Sequence, residues 1–500
     1  MSDANYSTLA AKRETTWGAS ITPPLKAMRL TGESLEHKKD VVQSEEVRAD
    51  RQISDLAEVG SMAGGGVDFE LSYEAWKEWL EAALFSSIVT INAAGITCDI
   101  DSTGQTIEAA SGTPFANVVA GCFVKVAGAA NAGNNGAKLV LSKTNTVLTL
   151  AAGSLTDDET AVSLTITGGH LKNGTTRHSY TIERNILTQT GDRFFQVYRG
   201  MTVDKCNLNF ESKKIVTGKL EFIGKIGEAN DTSLQTAAAG TLTFSGVSVE
   251  DETVTIGTRV YTFKDSPASA NQVKTGADAA ESIANLVAAI NGAAGAGTLY
   301  GTGTVAHAQG TAAAVGSTLV FTSTLYGTAG NALATTETMT NASWGAATLA
   351  GGTDYTAADS DPVVNATSNL GSLRKDGISL GERFKKLELA ISNNLRGKDA
   401  IGEAGNFDIG VGSFEVTGTL SAYFKDNTLL ADFIAHNYTG LSYVVTDGNG
   451  KRIGVHIPRL NFSTGGPMIG GKNTDLMQDQ KFTAILSETY GATLLLSFLD

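Results

Sequence analysis

The run Gly466-Pro-Met-Ile-Gly-Gly471-Lys472 has the outline of a phosphate-binding loop, in which glycine N–H groups and a lysine cradle phosphate. Asn473 stands where a magnesium-holding Ser or Thr is needed, and residues 473–480 (NTDLMQDQ) make a poor helix, so the plain reading is a glycine-rich surface loop between strands. Asp99-x-Asp101-x-Thr103-Gly104 opens like a calcium loop, but its twelfth position is Ala110 rather than a bidentate Glu, and no helices flank it. A polar hairpin turn explains it. His37, His170, His178, His307, His436 and His456 are dispersed, with no HExxH and no GxSxG. Cys98, Cys122 and Cys206 have no CxxC spacing; they read as three buried thiols, with a single Cys98–Cys122 bridge as the other reading. Trp76 and Trp79 fit either a helix core face or a sugar platform, and the core is the simpler use. No catalytic residue, metal ligand or cofactor site is nominated. The most pointed polar cluster is Arg48, Asp50, Arg51 and Asp55. It is either a solvated loop of alternating charge or an interface, where arginine pairs bidentately with a carboxylate of another chain.

The 500 residues suggest about three domains. With 42% hydrophobic residues there is material for sizeable cores. The balance of 38 basic to 52 acidic residues, a net charge of −14, argues against a protein that grips nucleic-acid phosphates or anionic membranes. Glycine (56) far outnumbers proline (7) without a Gly-X-Y period, which excludes collagen and points to a mainly β chain with many turns. The first twenty residues lack the apolar core of a secretory signal, and no run approaches 18 apolar residues, so the expectation is a soluble protein folded in a cytoplasm.

Elements follow from periodicity. Residues 33–58 are too polar to build a core alone and read as a disordered segment or an extended arm ordered against a partner. Ser61–Gly66 reads as a hinge, and Val67–Leu71 alternates as a strand. Ser72 is a candidate N-cap for a helix over 73–85 that carries Trp76, Trp79, Leu80 and Leu84. Residues 92–168 look like a small all-β insertion, with Asn134-Asn135-Gly136 as a hairpin signal. Three long strands fill 177–225. Residues 231–361, with eleven acids against three bases, form a separate Ig-like or small α+β module; Asp278-x-x-Glu281 caps its one helix. Beyond 384 the earlier grammar returns: a strand at 386–391, another at 412–424, a helix capped by Asp426 or Asn427, then strands at 441–446, 453–462 and 480–487. A strand running into a capped helix thus occurs twice, and Val216-Thr-Gly-Lys-Leu220 is echoed by Val416-Thr-Gly-Thr-Leu420. This hints at two similar halves with modules inserted between, although alternating strands resemble one another in any case.

Arg48-Ala-Asp-Arg51-Gln-Ile-Ser-Asp55-Leu, Gly64-Gly-Gly-Val-Asp-Phe-Glu-Leu-Ser-Tyr73 and Trp79-Leu-Glu-Ala-Ala-Leu-Phe85, together with Asn134-Asn-Gly136, Tyr180-Thr-Ile-Glu-Arg184 and Ile391-Ser-Asn-Asn-Leu395, resemble the major tail tube proteins of long, non-contractile tailed bacteriophages. The resemblance covers both ends and the first insertion, and not the 231–361 module, which is similar to Ig-like or adhesin-like insertions of phage tail proteins. It implies a β-sandwich or split barrel with a short flanking helix, formed by 67–91, 169–230 and 362–500, with 1–66 as arm and stacking loop. It implies that six subunits join their sheets into a ring and that rings stack into a virion tail tube. The tape measure protein would fill the lumen, and DNA would transit it without specific binding. The tail terminator and distal tail proteins would be the end partners. No membrane, cofactor or enzymatic activity is implied. An acidic pore would repel DNA phosphates. In this reading Arg48, Asp50, Arg51 and Asp55 lie at an interface between subunits. The alternative is a tail decoration or adhesin-type protein that binds the host surface.

Overall fold

The computed structural model describes residues 6–188, 193–230, 232–367, 370–371, 373–379, 384–469 and 471–500. Strand β1 (Ser7–Arg13) pairs with β2 (Lys26–Ala27), and β3 (Glu36–Gln43) pairs with β4 (Leu56–Glu70) in a long hairpin. Helix α1 (Tyr73–Leu84) follows. Its apolar residues recur at helical spacing, so Trp76, Trp79, Leu80 and Ala83 are buried together. Ser72 holds the extended N-cap position but makes no side-chain cap bond; the Glu74 N–H donates instead to the Asp361 carboxylate, 2.7 Å away. A carboxylate there also faces the positive end of the helix dipole. Trp76 stacks on Phe69 at 3.8 Å, and Trp79 lies on Tyr180 at 4.4 Å and edge-on to Phe222 at 5.7 Å. The platform reading of these indoles therefore gives way to the core reading.

Strands β5 (Val89–Asp101) and β6 (Glu159–Lys172) pair and enclose the 92–168 insertion, whose own core includes Ile107, Val124, Leu148 and Leu164. Asn134-Asn135-Gly136 is not a two-residue hairpin turn. Ala132–Asn134 form a single 3-10 turn in a longer loop, and the buried Asn134 amide donates to Glu159 (2.7 Å) and to the Asp157 carbonyl (2.9 Å). The loop joins the antiparallel strands Phe123–Ala127 and Gly136–Lys143, so a hairpin is present, and the asparagine staples its longer loop.

Strands β7 (Ser179–Leu187), β8 (Arg193–Glu211), β9 (Thr217–Gly224) and β10 (Ile226–Asn230) complete the first half. The module that follows has two four-stranded sheets, helix α2 (Ala279–Asn291) and a core of its own built on Phe263, Ile283, Leu286 and Phe321. Asp278 accepts from the Glu281 N–H at 2.8 Å, as a capping box requires; the Glu281 carboxylate reaches back one residue further, to Ala277. The module meets the body at buried Glu183 of β7, which accepts from the Ser233 hydroxyl, the Leu234 N–H and the Tyr355 hydroxyl, each at 2.6 Å.

The second half contains β11 (Arg374–Lys375), β12 (Ile378–Ser379), β13 (Phe384–Ser392), β14 (Glu415–Tyr423), α3 (Thr428–Ile434), β15 (Thr439–Thr446), β16 (Arg452–Phe462), β17 (Pro467–Met468), β18 (Met477–Ala484) and β19 (Leu495–Leu499). Its pairings repeat those of the first half in chain order. The first strand pairs with its neighbour (β1·β2, β11·β12) and with a later strand (β1·β7, β11·β15). A hairpin runs into a helix (β3·β4 then α1, β13·β14 then α3). The remaining pairs also match: β4·β9 with β14·β18, β7·β8 with β15·β16, β8·β9 with β16·β18, and β8·β10 with β16·β19. The chain thus holds two units of one topology, joined where β8 pairs with β13. One continuous antiparallel sheet results, in the order β3-β4-β9-β8-β13-β14-β18.

The echoed pentapeptides fall on β9 and β14, which are not counterparts in this repeat. They share a different constraint. Phe69, Gly218, Leu208, Leu389, Gly418 and Phe482 are successive partners across six strands, and a Cβ at Gly218 or Gly418 would come within 2.3 Å of the ring of Phe69 or Phe482. Each glycine makes room for a core phenylalanine.

Candidate functional site

The sheet just described has one face in the core and one face bare. Leu208, Leu220, Leu389, Leu420 and Phe482 point inward and are buried, while Asp68, Lys205, Thr217, Thr417, Asp479 and Lys481 on the other face are exposed. Strand alternation produces this division directly. On the bare face Lys205 pairs with Glu221 at 3.3 Å and Lys386 with Glu388 at 2.5 Å. Such exposed pairs contribute little stability, and their effect is to give the surface a hydrated, mixed-charge character. A shallow trough of about 770 Å³ runs along it, lined by residues such as Asn207, Lys219, Glu388, Thr417 and Thr483.

The β3–β4 hairpin carries the four polar residues singled out in the sequence. Arg48 and Asp50 meet in a fork, Nε to Oδ1 at 3.0 Å and Nη2 to Oδ2 at 2.8 Å. This fork holds the Asp50 carboxyl below its ordinary range and pushes the Arg48 guanidinium up. Arg51 turns the loop with φ +61° and donates its N–H to the Arg48 carbonyl. Asp55 closes the loop from the other side: its carbonyl accepts from the Ser44 N–H, and its carboxylate accepts from the Leu56 N–H. The fork is therefore made within the loop. What the polar reading missed is apolar: Val41, Val42, Val47, Ile53, Leu56 and Val59 are all exposed, Val47 almost fully at 98%. The available signal was Val41-Val42 and Leu56-x-x-Val59, spacings that put an apolar side chain on both faces of each strand in a stretch too polar to supply a core for either.

The hairpin is shorter than a 1–66 arm. Ser7–Arg13 pairs along β7 with Leu9 and Ala10 buried, so this stretch belongs to the body. Nor are residues 61–66 a hinge; they lie inside β4. Gly65 has φ +120°, and a Cβ there would fall 2.1 Å from the Ser34 carbonyl oxygen, so the glycine run serves a close backbone crossing.

The chemistry-bearing motifs separate in space. Lys472 is followed by a turn and then by β18, with no helix N-terminus to hold phosphate. Asp101 accepts from the Thr103 and Gly104 N–H groups at 2.8 Å, an ordinary turn. Asp99 accepts from the Ala161 N–H at 2.7 Å. The three cysteines are free and buried, and burial pushes the Cys98 thiol up to about 11 and the Cys122 and Cys206 thiols up to about 12. Among the described residues no group of three or more His, Cys, Asp or Glu could hold a metal ion, and no helix is long and apolar enough to cross a membrane.

No curated protein matches the chain. A family model described as phage tail tube protein matches residues 4–294 and again residues 277–484. The first match contains β1 to β10, and the second contains β11 to β18. Between them the two matches cover most of the chain, which belongs to the phage tail tube protein family and is a structural component of a virion tail.

Proposed function

We propose that this chain polymerises into closed rings that stack into a tail tube. The bare face of the β3–β18 sheet lines the lumen, and the exposed β3–β4 hairpin, with Arg48, Asp50, Arg51 and Asp55 at its loop, lies between subunits. The single observation carrying this reading is the sheet itself: continuous through both units, filled with core on one face and polar on the other, and ending at a β3 edge that no strand pairs with among the described residues. An open edge on a long sheet invites pairing with another chain, and ring closure removes such edges. The lumen then presents carboxylates, lysines, threonines and asparagines without a basic stripe, a surface on which DNA slides without binding. A tape measure protein would occupy this lumen during assembly, terminator and distal tail proteins would seal the ends, and assembly would take place in the host cytoplasm. The 231–361 module contacts β7 and, through Tyr326 on Phe195, the part of β8 that lies outside the bare face, and in this reading it projects outward from the tube wall.

Negative-stain microscopy of the concentrated recombinant protein tests the reading. Rings or tubes with an open bore are expected. A species that stays monomeric at every concentration and ionic strength, or that binds cells as single particles, would instead support the decoration or adhesin alternative.

A further inference from the structure

The two units are not equally satisfied, and the difference identifies the joint between chains. Inside the chain, unit two docks on unit one in two ways. Strand β13 pairs with β8 from Lys205↔Ser392 to Glu211↔Lys386. The loop between β13 and β14 folds over unit one, burying Leu395 and Ile409 against Phe85, Trp17 and Ile223. Its backbone is held there too: the Ala404 carbonyl accepts from the Ser61 N–H at 2.6 Å, Asn406 donates to the Gly224 carbonyl at 3.1 Å, and Arg177 bonds Asp408 at 3.0 Å.

The counterparts of both docking elements are bare. The loop between β3 and β4 corresponds to the β13–β14 loop, yet its Val47 and Ile53 are 98% and 62% exposed. Strand β3 corresponds to β13, and no strand pairs with its outer edge among the described residues. On unit two, the surface corresponding to the end of α1 and of β9 is the end of α3 and of β18. There Ile434, Tyr438 and Leu486 are 73%, 49% and 47% exposed. Tyr438 adjoins the end of β18 through Arg459, which lies 4.1 Å from the Tyr438 ring and whose carbonyl accepts from the Ile485 N–H. Loop and receptor are thus both present and apolar in one chain, at opposite ends of the sheet.

We infer that chains join head to tail by copying the internal joint. Unit one of one copy docks on unit two of the next, with β3 pairing along the Asn461–Met468 edge beside β18 and the β3–β4 loop seated on Ile434, Tyr438 and Leu486. This deepens the tube reading and rests on it. A heterologous joint gives a ring where its rotation closes and an open filament where it does not; the tube reading requires the ring, and in it each chain fills two successive positions. A ring of six tube units then contains three chains, 155.7 kDa from three of 51.9 kDa each, rather than six.

Two variants test it: Val47→Asp with Ile53→Asp spoils the loop, and Ile434→Asp with Tyr438→Asp spoils the receptor. Each is expected to melt with the wild type and to stay monomeric where the wild type forms rings. Mixed one to one, they retain one intact loop and one intact receptor, so a dimer of 103.8 kDa, twice 51.9 kDa, is expected by native mass spectrometry and nothing larger. Folded variants that still form rings, or a mixture that stays monomeric, overturn the joint while leaving the tube reading standing. A ring whose mass equals six chains overturns the two-position arrangement. Absence of rings from the wild type itself counts against the tube reading, and a mixture dimer in that setting still supports the joint.

Discussion

His456 shows how one buried side chain sets a pH dependence. It lies between Ser442 of β15 and Leu495 of β19, with its ring edge-on to Tyr490 at 5.2 Å. Burial drives its pKa down to about 4 against the opposing pull of Asp376. An unfolded histidine titrates near 6.5, so between roughly pH 6.5 and 4 the unfolded chain holds a proton that the folded one refuses. Stability is complete above that window and falls as pH drops through it, by about 3 kcal/mol for a shift of this size. Asp408, held down to about 2 by Lys398 and Arg177, acts in a separate and lower window: its contribution is present above the ordinary carboxylate range and is lost as pH falls towards 2. Denaturant unfolding at pH 7 and pH 4.5 should show a clear loss for the wild type and a much smaller loss for His456→Gln. Equal losses in both proteins would assign the pH dependence elsewhere.

At the scale of elements, α1 anchors the first unit. Trp79 is 6% exposed and touches Tyr180 of β7 and Phe222 of β9, so it ties the helix to both layers of strands. Trp79→Ala should cost about 3–5 kcal/mol through lost burial and the cavity left behind. A thermal melt within a couple of degrees of wild type would return this indole to the surface. The helix was readable in the sequence because 3.6-residue periodicity is a property of neighbouring positions. The β3–β4 hairpin was harder to read. Its polar tip and exposed valines give the composition of an unstructured arm, and its order comes from pairing with a strand twenty residues later. The Arg48–Asp50 fork was likewise invisible as a pair, since spacing alone does not say that residues two apart will face each other around a tight turn. In unit two the counterpart of β8 is broken into β16 and β17; β16 was legible as the strand at 453–462, while the two residues of β17 are too few to show a period.

The whole molecule is a doubled unit with two additions, and doubling was only half legible. The pentapeptide echo that suggested it marks two glycines opposite core phenylalanines, whereas the true repeat is carried by strand order and pairing, which no short string records. The additions were easier to see, because each changes composition where it begins and supports its own core. The 231–361 module is the more separable. Its ends leave side by side, with the Thr353 N–H donating to the Thr236 carbonyl at 3.1 Å, and its strands and helix α2 bury Phe263, Leu286 and Phe321 among themselves. The contacts with Glu183 come from Ser233, Leu234 and Tyr355, which lie outside that closed neck. Removing residues 237–352 and bridging Thr236 to Thr353 with two or three glycines should therefore keep the buried Glu183 carboxylate satisfied. A domain with its own core and adjacent ends can be lost without unfolding its host. The shortened chain should give tubes of unchanged bore and reduced outer diameter. Soluble, folded protein that no longer forms tubes would instead make the module part of the wall, and a widened bore with an unchanged outer diameter would place it inside.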